Sequence, residues 1–553
     1  MKLNSKKNCK MFEVGKDIFK HGFSGVRGEA TGRKRLRVMY TVFLIAFMIF
    51  IGRTLQLGIQ GTDRARLAGA DGEWNVQRAD IVDRNGDILA KNVASGHIIL
   101  RNRAVRPQDR DAVAQTIHQA LPYEYSLADA IALLNSDRRF IRLKKYASDS
   151  QREIIQKARL EGLEVEKIQT RKYPKRRLFS HIVGFVGAEG RGLEGAERIY
   201  EEYLTENKDP LRLSVDSRIQ SVFYDQLSFA MQKYGTRAAM GMLMNSRTGE
   251  IIAMVSLPDY DPENLSADPV GNRLFKPMRS VYEMGSIFKI FNTALALENG
   301  IDKEYYVKEP FKILDKFGRV ATTIHDVRSF KPPRPHLTVE EIMVHSCNVG
   351  SAQIALDLPD GAQKNFFERL HFDEALNLEF GRTEKPLLPN KWGPVERATR
   401  AYGHGISVTP MHLMLAVNAV TNGGIYIYPT LQKRSVGVVK GERVLADEIS
   451  AKLRPIMLRV AEETSGKQAR VAGIQIGGKT ATAVKYTNGK VDHKRNVTAF
   501  VGVFPIDAPQ YTILVVLDEP QGTKESWGWR TAAWNAVPTT GKILDGILPL
   551  LFE

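Results

Sequence analysis

A serine stands one helical turn ahead of a lysine in Gly285-Ser286-Ile287-Phe288-Lys289. A serine hydroxyl is a weak nucleophile at neutral pH and acts only with a base within hydrogen-bond reach. A lysine three positions on can be that base if burial lowers its pKa, and Lys289 has apolar neighbours on both sides. Ser286, Lys289 and Thr293 fall at i, i+3 and i+7, so they share one helix face. Alone, the pair is a common chance pattern whose plain reading is a helix N-cap followed by a solvated lysine. Two further polar groupings come later, Ser346-Cys347-Asn348 and Lys479-Thr480. His181 has no second histidine nearby and reads as structural, whereas His404 lies in a glycine-rich loop that leaves its role open.

These residues need elements to hold them. The spacing predicts a helix from Ser286 to Glu298, closed by Asn299-Gly300, with Ile287, Ile290, Phe291, Ala294 and Leu297 as its core stripe. Thr338-Val339-Glu340-Glu341 is a capping-box start for a short helix that ends at Ser346-Cys347-Asn348. An apolar helix resumes over 352–356, so the tripeptide is presented on a loop. Residues 474–483 read as a strand whose glycines leave its edge open to another backbone. A turn is expected at Thr487-Asn488-Gly489, with further strands over 498–504 and 511–517. Strands over 240–244 and 250–255 form a hairpin about the 245–249 turn, preceded by a strand over 211–216 leading into a helix. Helices between two groups of strands predict an α+β domain around an antiparallel sheet that the chain leaves and rejoins.

The chain has 553 residues, a formal net charge of +17 and 43% apolar residues, enough for more than one sizeable core. The charge is uneven: residues 1–37 carry eleven Lys or Arg against three acids. No nucleic-acid motif accompanies it, so nucleic-acid binding is not expected. Directly after Arg37, residues 38–57 begin with fifteen residues free of charge. That predicts an uncleaved single-pass anchor, with the basic side in the cytoplasm. Cys9 and Cys347 then lie on opposite sides of the membrane and cannot pair. The expected domains are a cytoplasmic tail 1–37, a transmembrane helix 38–58, a non-catalytic pedestal or dimerisation-like region 59–208 and a chemistry-bearing domain 209–553. In the pedestal, Asn85-Gly86 between apolar alternations signals a hairpin, and the basic cluster at 171–177 reads as solvated surface.

Ser-x-x-Lys, then Ser-x-Asn, then Lys-Thr in a glycine-flanked strand is the ordered motif set of penicillin-binding proteins and serine β-lactamases. Here it is Ser286/Lys289, Ser346/Asn348 and Lys479/Thr480. The rest of the chain resembles the class B penicillin-binding proteins, most closely the septal FtsI-type branch. The resemblance runs through the anchor with Arg53, RADIVDRNG at 78–86, the segment from Tyr173-Pro174 to Glu194, residues 248–262, Gly403 to Pro410 and Asn422-Gly423-Gly424. It implies a D,D-transpeptidase that cross-links peptidoglycan stem peptides ending in D-Ala-D-Ala outside the inner membrane. It implies that Ser286 is the nucleophile and Lys289 its base, that Ser346 relays protons, and that Asn348 binds the substrate peptide. Lys479 would lend positive charge, Thr480 and Thr482 would bind the substrate carboxylate, and the backbone N–H groups of Ser286 and Thr482 would form the oxyanion hole. β-Lactams should acylate Ser286. The implied partners are a SEDS-type glycosyltransferase and other division proteins, and no cofactor or metal is expected.

Three departures stand out. Ala481 replaces the usual glycine after Lys-Thr, Met284 stands where proline usually precedes Gly285, and Ala79 occupies the RGD-like stretch. An alanine methyl at 481 is expected to crowd substrate backbone. The alternatives are an elongation-specific class B transpeptidase or, because of Ala481, a catalytically impaired divisome scaffold. A β-lactamase has no use for the anchor or the 59–208 region, and no hydrolytic glutamate is evident.

Overall fold

The computed structural model describes residues 39–48, 50–53, 78–327, 330–434, 439, 441–487 and 490–552. The chain divides into two units, 1–74 and 75–553. In the first, residues 39–48 and 50–53 are helical with exposed apolar side chains such as Phe43 and Phe50. Among the described residues no helix is long and apolar enough to cross a membrane. The expected span at 38–58 lies partly outside them, and its described helical part is shorter than the ~20 residues a bilayer requires. The tail 1–37, residues 59–77 and the tip of the turn at 488–489 also lie outside the described residues.

The second unit opens with the expected hairpin. Strand β1 (Ile81–Val82) pairs antiparallel with β2 (Ile88–Arg101) about the Asn85-Gly86 turn. Asp83 shapes that turn, its carboxylate accepting from the N–H groups of Asn85 (2.8 Å) and Asp87 (2.9 Å). The long β2 carries both β3 (Phe140–Lys144) and β4 (Leu163–Lys172) as antiparallel partners. Three helices, Arg110–Ala120, Leu127–Leu134 and Asp149–Ala158, close a small core over this sheet with Ile98, Leu100, Ile117 and Leu143. Beside it lies a buried ion cluster. Glu197 takes Arg78 (2.9 Å) and Arg171 (2.7 Å), all three side chains being fully buried.

β1 also pairs in parallel with β5 (Leu211–Arg212), which ties the two halves of the unit by a backbone ladder. The strand expected over 211–216 is thus shorter. Asp216 instead N-caps helix α1 (Ser217–Tyr234), accepting from the N–H of Arg218 at 2.9 Å. Asp83 reaches the same helix start and accepts from Ser217 N–H at 3.0 Å. Two carboxylates therefore face the positive end of one helix.

The expected antiparallel sheet follows. Hairpin β6 (Ala238–Asn245) and β7 (Ile251–Leu257) turn about Gly249, in the left-handed region at φ +73°. The chain then leaves through helices α2 (Lys289–Glu298), α3 (Val339–Val344), α4 (Asn348–Asp357) and α5 (Asp447–Glu463). It rejoins as β8 (Gly477–Thr487), β9 (Lys490–Phe504) and β10 (Tyr511–Asp518), and ends in α6 (Ala536–Leu551). The strand order is β8-β9-β10-β6-β7, antiparallel throughout, with β8 at one edge.

Alternation along each strand sends side chains to two cores. Leu243, Phe500, Val515 and Leu517 meet Phe223 and Leu227 of α1 and Ile543 and Leu544 of α6. Met242, Val501, Leu514 and Val516 share the other core with Ile290 and Phe291 of α2. Gly241 permits the close fit of α1, since a Cβ there would come within 2.7 Å of the Phe223 ring.

Candidate active site

Ser286 lies in a 3-10 turn, Gly285–Phe288, that runs into α2. The helix expected from Ser286 thus becomes α-helical only at Lys289. Gly285 sits in the left-handed region at φ +44°, and a Cβ on it would lie 3.5 Å from Ala483 and 3.6 Å from the Thr482 carbonyl. That contact places the Ser286 turn against the edge strand β8. Ile287 and Phe288 are buried, and Phe288 packs among Phe291, Phe367 and Phe372. Met284 is also buried, so the residue replacing the usual proline fills the core.

Lys289 is 1% exposed, and its Nζ stands among four oxygens. They are Ser286 Oγ at 3.0 Å, the Ser346 carbonyl at 2.6 Å, Asn348 Oδ1 at 2.7 Å and Ser346 Oγ at 3.2 Å. Burial lowers its pKa from the ordinary 10.5 to about 8, partly opposed by the negative charge of Asp326. Thr293, one turn further, is buried behind it.

The Ser346-Cys347-Asn348 turn reaches Lys289 by an unusual backbone. Helix α3 is capped as expected, Thr338 and Glu341 exchanging bonds, and its last turn ends at His345. Ser346 then adopts φ +60°, a conformation that disfavours an L-residue by roughly 1–2 kcal/mol. Cys347 caps α4, its Sγ accepting from Gly350 N–H at 3.2 Å. The reversal turns both the carbonyl and the hydroxyl of Ser346 toward Lys289. Asn348 Nδ2 donates to the His325 carbonyl at 3.2 Å, which fixes its amide so that Oδ1 meets Lys289.

From β8, Lys479 brings a second buried amine, its Nζ 2.9 Å from Ser346 Oγ. Burial pushes its pKa well below 10.5, and the charge of Lys289 pushes the same way. Lys479, Ala481 and Ala483 point inward, while Thr482 points outward and is exposed. Ala481 is 3% exposed and packs in the core, paired across the ladder with Ala499. Its methyl therefore points to the side of the Lys479 side chain, away from the outward face that carries Thr482. Thr482 Oγ1 accepts from Ala532 N–H at 3.0 Å, leaving its own O–H free to donate. Thr480 Oγ1 bonds Ser465 Oγ at 2.7 Å.

The structure thus brings together Ser286, Lys289, Ser346, Asn348 and Lys479, with Thr480 and Thr482 on the adjoining strand. Two acidic residues of this neighbourhood had no signal in the sequence. Asp326 meets the Cys347-Asn348 turn, and Glu283 accepts from Gly405 N–H at 2.9 Å while lying 3.2 Å from His404 Nδ1. His181 is structural. Its Nε2 donates to the Asn272 carbonyl at 2.8 Å, its ring stacks on Phe275, and burial lowers its pKa to about 4.

In the 171–177 cluster Arg171 departs from the expected solvated surface, while the other basic side chains stay partly exposed and are ion-paired. Arg171 is in the buried ion cluster, and Lys172 pairs with Glu263 at 2.9 Å. Arg176 pairs with Asp261 at 3.1 Å, and Arg177 with Asp259 at 3.1 Å and Asp268 at 2.8 Å. The acidic loop after β7 neutralises the cluster across the two halves of the unit.

An antiparallel sheet whose edge strand adjoins a partly exposed serine bonded to a buried lysine defines a serine acyl-transfer enzyme. Residues 239–537 match the penicillin-binding protein transpeptidase domain, and residues 73–218 match the penicillin-binding protein dimerisation domain. The probable peptidoglycan D,D-transpeptidase FtsI of Caulobacter vibrioides is 32% identical over 96% of this chain and 91% of its own length. The peptidoglycan D,D-transpeptidase FtsI of Escherichia coli K12 is 28% identical over 93% and 91%. Stage V sporulation protein D of Bacillus subtilis is 29% identical over 94% and 86%. The fold is similar to the crystal structure of a peptidoglycan synthetase from Bifidobacterium adolescentis, with TM-score 0.63 and 21% identity over 86% of this chain and 95% of that one. The chain belongs to the penicillin-binding protein family, as a class B member of the FtsI type.

Proposed function

We propose that the protein is a peptidoglycan D,D-transpeptidase of septal cell-wall synthesis, acting through an acyl-enzyme on Ser286. The observation that carries this reading is the buried Lys289 amine 3.0 Å from Ser286 Oγ. A neutral amine has two N–H bonds and one lone pair. The Ser346 carbonyl and Asn348 Oδ1 can only accept, and they are the two shortest contacts of Lys289. They take both N–H bonds and leave the lone pair for the Ser286 proton.

Ser286 Oγ then attacks the carbonyl joining the two terminal D-alanines of a stem peptide, and its proton passes to Lys289. The C–N bond breaks, and D-alanine leaves with a proton delivered through Ser346, whose hydroxyl bridges Lys289 and Lys479. The amine of a second stem peptide attacks the ester, Lys289 takes its proton, the acyl C–Oγ bond breaks, and Lys289 returns the proton to Ser286 Oγ. Ser286 N–H, at a helix start with no intrahelical partner, and Thr482 N–H, on the edge strand, form the oxyanion hole. Removing such a donor costs about 3–4 kcal/mol of barrier. Asn348 orients the substrate peptide, and Thr480, Thr482 and Lys479 hold its carboxylate.

The same reading has residues 38–58 anchor the chain in the inner membrane, with 1–37 cytoplasmic, 59–208 as pedestal and 209–553 as the periplasmic transpeptidase domain. Division proteins and a SEDS-type glycosyltransferase are its partners there. A β-lactam acylates Ser286 in place of the D-Ala-D-Ala end. The test is labelling of membranes with a fluorescent penicillin, followed by mass spectrometry of the modified peptide. Label on Ser286 that is absent from Ser286→Ala supports the reading. An unlabelled, folded wild-type chain overturns it.

A further inference from the structure

Behind the Ser346-Cys347-Asn348 turn lies a carboxylate that the reaction scheme does not use. Asp326 Oδ2 accepts from Cys347 Sγ at 3.2 Å, and its Oδ1 accepts from Asn348 N–H. The next residue back, His325, supplies the carbonyl that fixes the Asn348 amide. Loop 325–326 therefore holds this turn at three points, two of them through one carboxylate. The loop is itself held, because Ile324 ends a strand paired with Phe311–Leu314 and is buried with Val349 and Ala352 of α4. The N–H of Asn348 is the first of α4 and has no partner within the helix, so a carboxylate suits it in charge as well as geometry.

We propose that Asp326 is a positioning residue of the transpeptidase: its carboxylate clamps the Cys347-Asn348 turn so that the Ser346 carbonyl and Asn348 Oδ1 meet the Lys289 amine. The inference rests on the reading of Lys289 as base. Two oxygens must stay on the amine for its lone pair to face Ser286, and both belong to a turn whose entry residue, Ser346, is in an unfavourable conformation. Such a turn needs an outside restraint, and Asp326 supplies one. The titratable groups facing Lys289 are Lys479 from β8, Asp326 from its loop and the Cys347 thiol, which burial and then Asp326 hold neutral by pushing its pKa up to about 12. Asp326 is the anion among them, so it has a second effect and keeps the Lys289 pKa from falling further.

The two effects separate by substitution. Asp326→Asn keeps an oxygen for Asn348 N–H and removes the charge, whereas Asp326→Ala removes both. The experiment measures the second-order rate of acylation of the full-length protein by a fluorescent penicillin from pH 6 to 10, with thermal unfolding alongside. The expected result is a roughly ten- to hundred-fold lower plateau rate for Asp326→Ala, with Asp326→Asn within a few-fold of wild type. The acid limb of Asp326→Asn should move to lower pH, because losing an anion favours the neutral amine. Folded variants with the plateau and acid limb of the wild type overturn the proposal. So does an Asp326→Asn variant that loses as much rate as Asp326→Ala with no movement of the limb. Lys289→Ala tests the underlying reading by itself: if it acylates at the wild-type rate, the base assignment fails.

Discussion

Arg78, Arg171 and Glu197 are buried as deeply as Lys289 and Lys479, yet the two groups are built on different rules. In the first, two guanidinium groups share the Glu197 carboxylate, Arg78 also grips Glu201, and the carbonyls of Ala79, Gly190 and Glu197 accept further N–H bonds together with Asn92 Oδ1. Burial works against the charge of Arg78, but its bonds to Glu201 and Glu197 outweigh that, and its pKa is raised. In the second, two amines converge on one serine hydroxyl, and every hydrogen-bond partner of both is a neutral oxygen. Burial is then offset only in part, by the charge of Asp326 at Lys289, and both pKa values fall. Burial with a counter-charge locks a charge in place and ties chain segments together. Burial without a directly bonded counter-charge makes a proton easy to move.

The largest expected effect strikes the second group. Lys289→Ala should lower the rate of penicillin acylation by about 10²–10⁴-fold in a protein that still melts cooperatively. A drop below ten-fold would mean that the site does not depend on this base. The next strikes the first group. Glu197→Ala leaves Arg78 with Glu201 and Arg171 with neutral oxygens in a buried site, and should cost about 3–5 kcal/mol in urea unfolding of the 78–216 region. The acylation rate of the molecules that remain folded should hardly change. Equal loss of both would erase the distinction between structural and chemical burial.

A third test uses pH. Lys289 has a pKa of about 8 folded against an ordinary 10.5 unfolded. Between those values the unfolded chain binds one more proton, so this group adds stability as pH rises through the window. At and below pH 8 the buried ammonium is a constant penalty of about 3 kcal/mol. Lys289→Met has no such proton, and its stability relative to wild type should therefore fall by about that amount from pH 8 to 10.5. A difference independent of pH would place the lysine in a solvated environment. The smallest effect belongs to the half-exposed ion pairs between 172–177 and 259–268. Arg177→Ala should cost about 1 kcal/mol or less, read as faster hydrogen exchange in the acidic loop and weakened further by salt.

Much of the site could be read from the sequence because it uses local spacing. Ser286 and Lys289 meet across one turn, Ser346 and Asn348 flank a break between helices, and β8 to β10 announce themselves by alternation. What escaped depends on distance along the chain or on which way a side chain faces. Arg177 meets Asp259 and Asp268 more than eighty positions later, so its surroundings could not be inferred from neighbours. Asp326 has no motif, and its role comes from a loop folding back on Cys347 and Asn348. The side chain of Ala481 faces inward because strand parity, fixed by Lys479, puts it there. The strand expected to 216 stopped at Arg212 because an aspartate prefers to cap the helix that follows.

The contact between Gly403 and Gly285 bears on how such a protein can change under selection by antibiotics. A Cβ at 403 would stand 2.1 Å from the Gly285 carbonyl oxygen, and the residue lies in the left-handed region at φ +83°. No point substitution at 403 can therefore adjust drug affinity without shifting the nucleophile's own turn. Its neighbours Tyr402 and His404 pack edge to face and are both partly accessible, so a changed side chain there need not move the turn that carries Ser286.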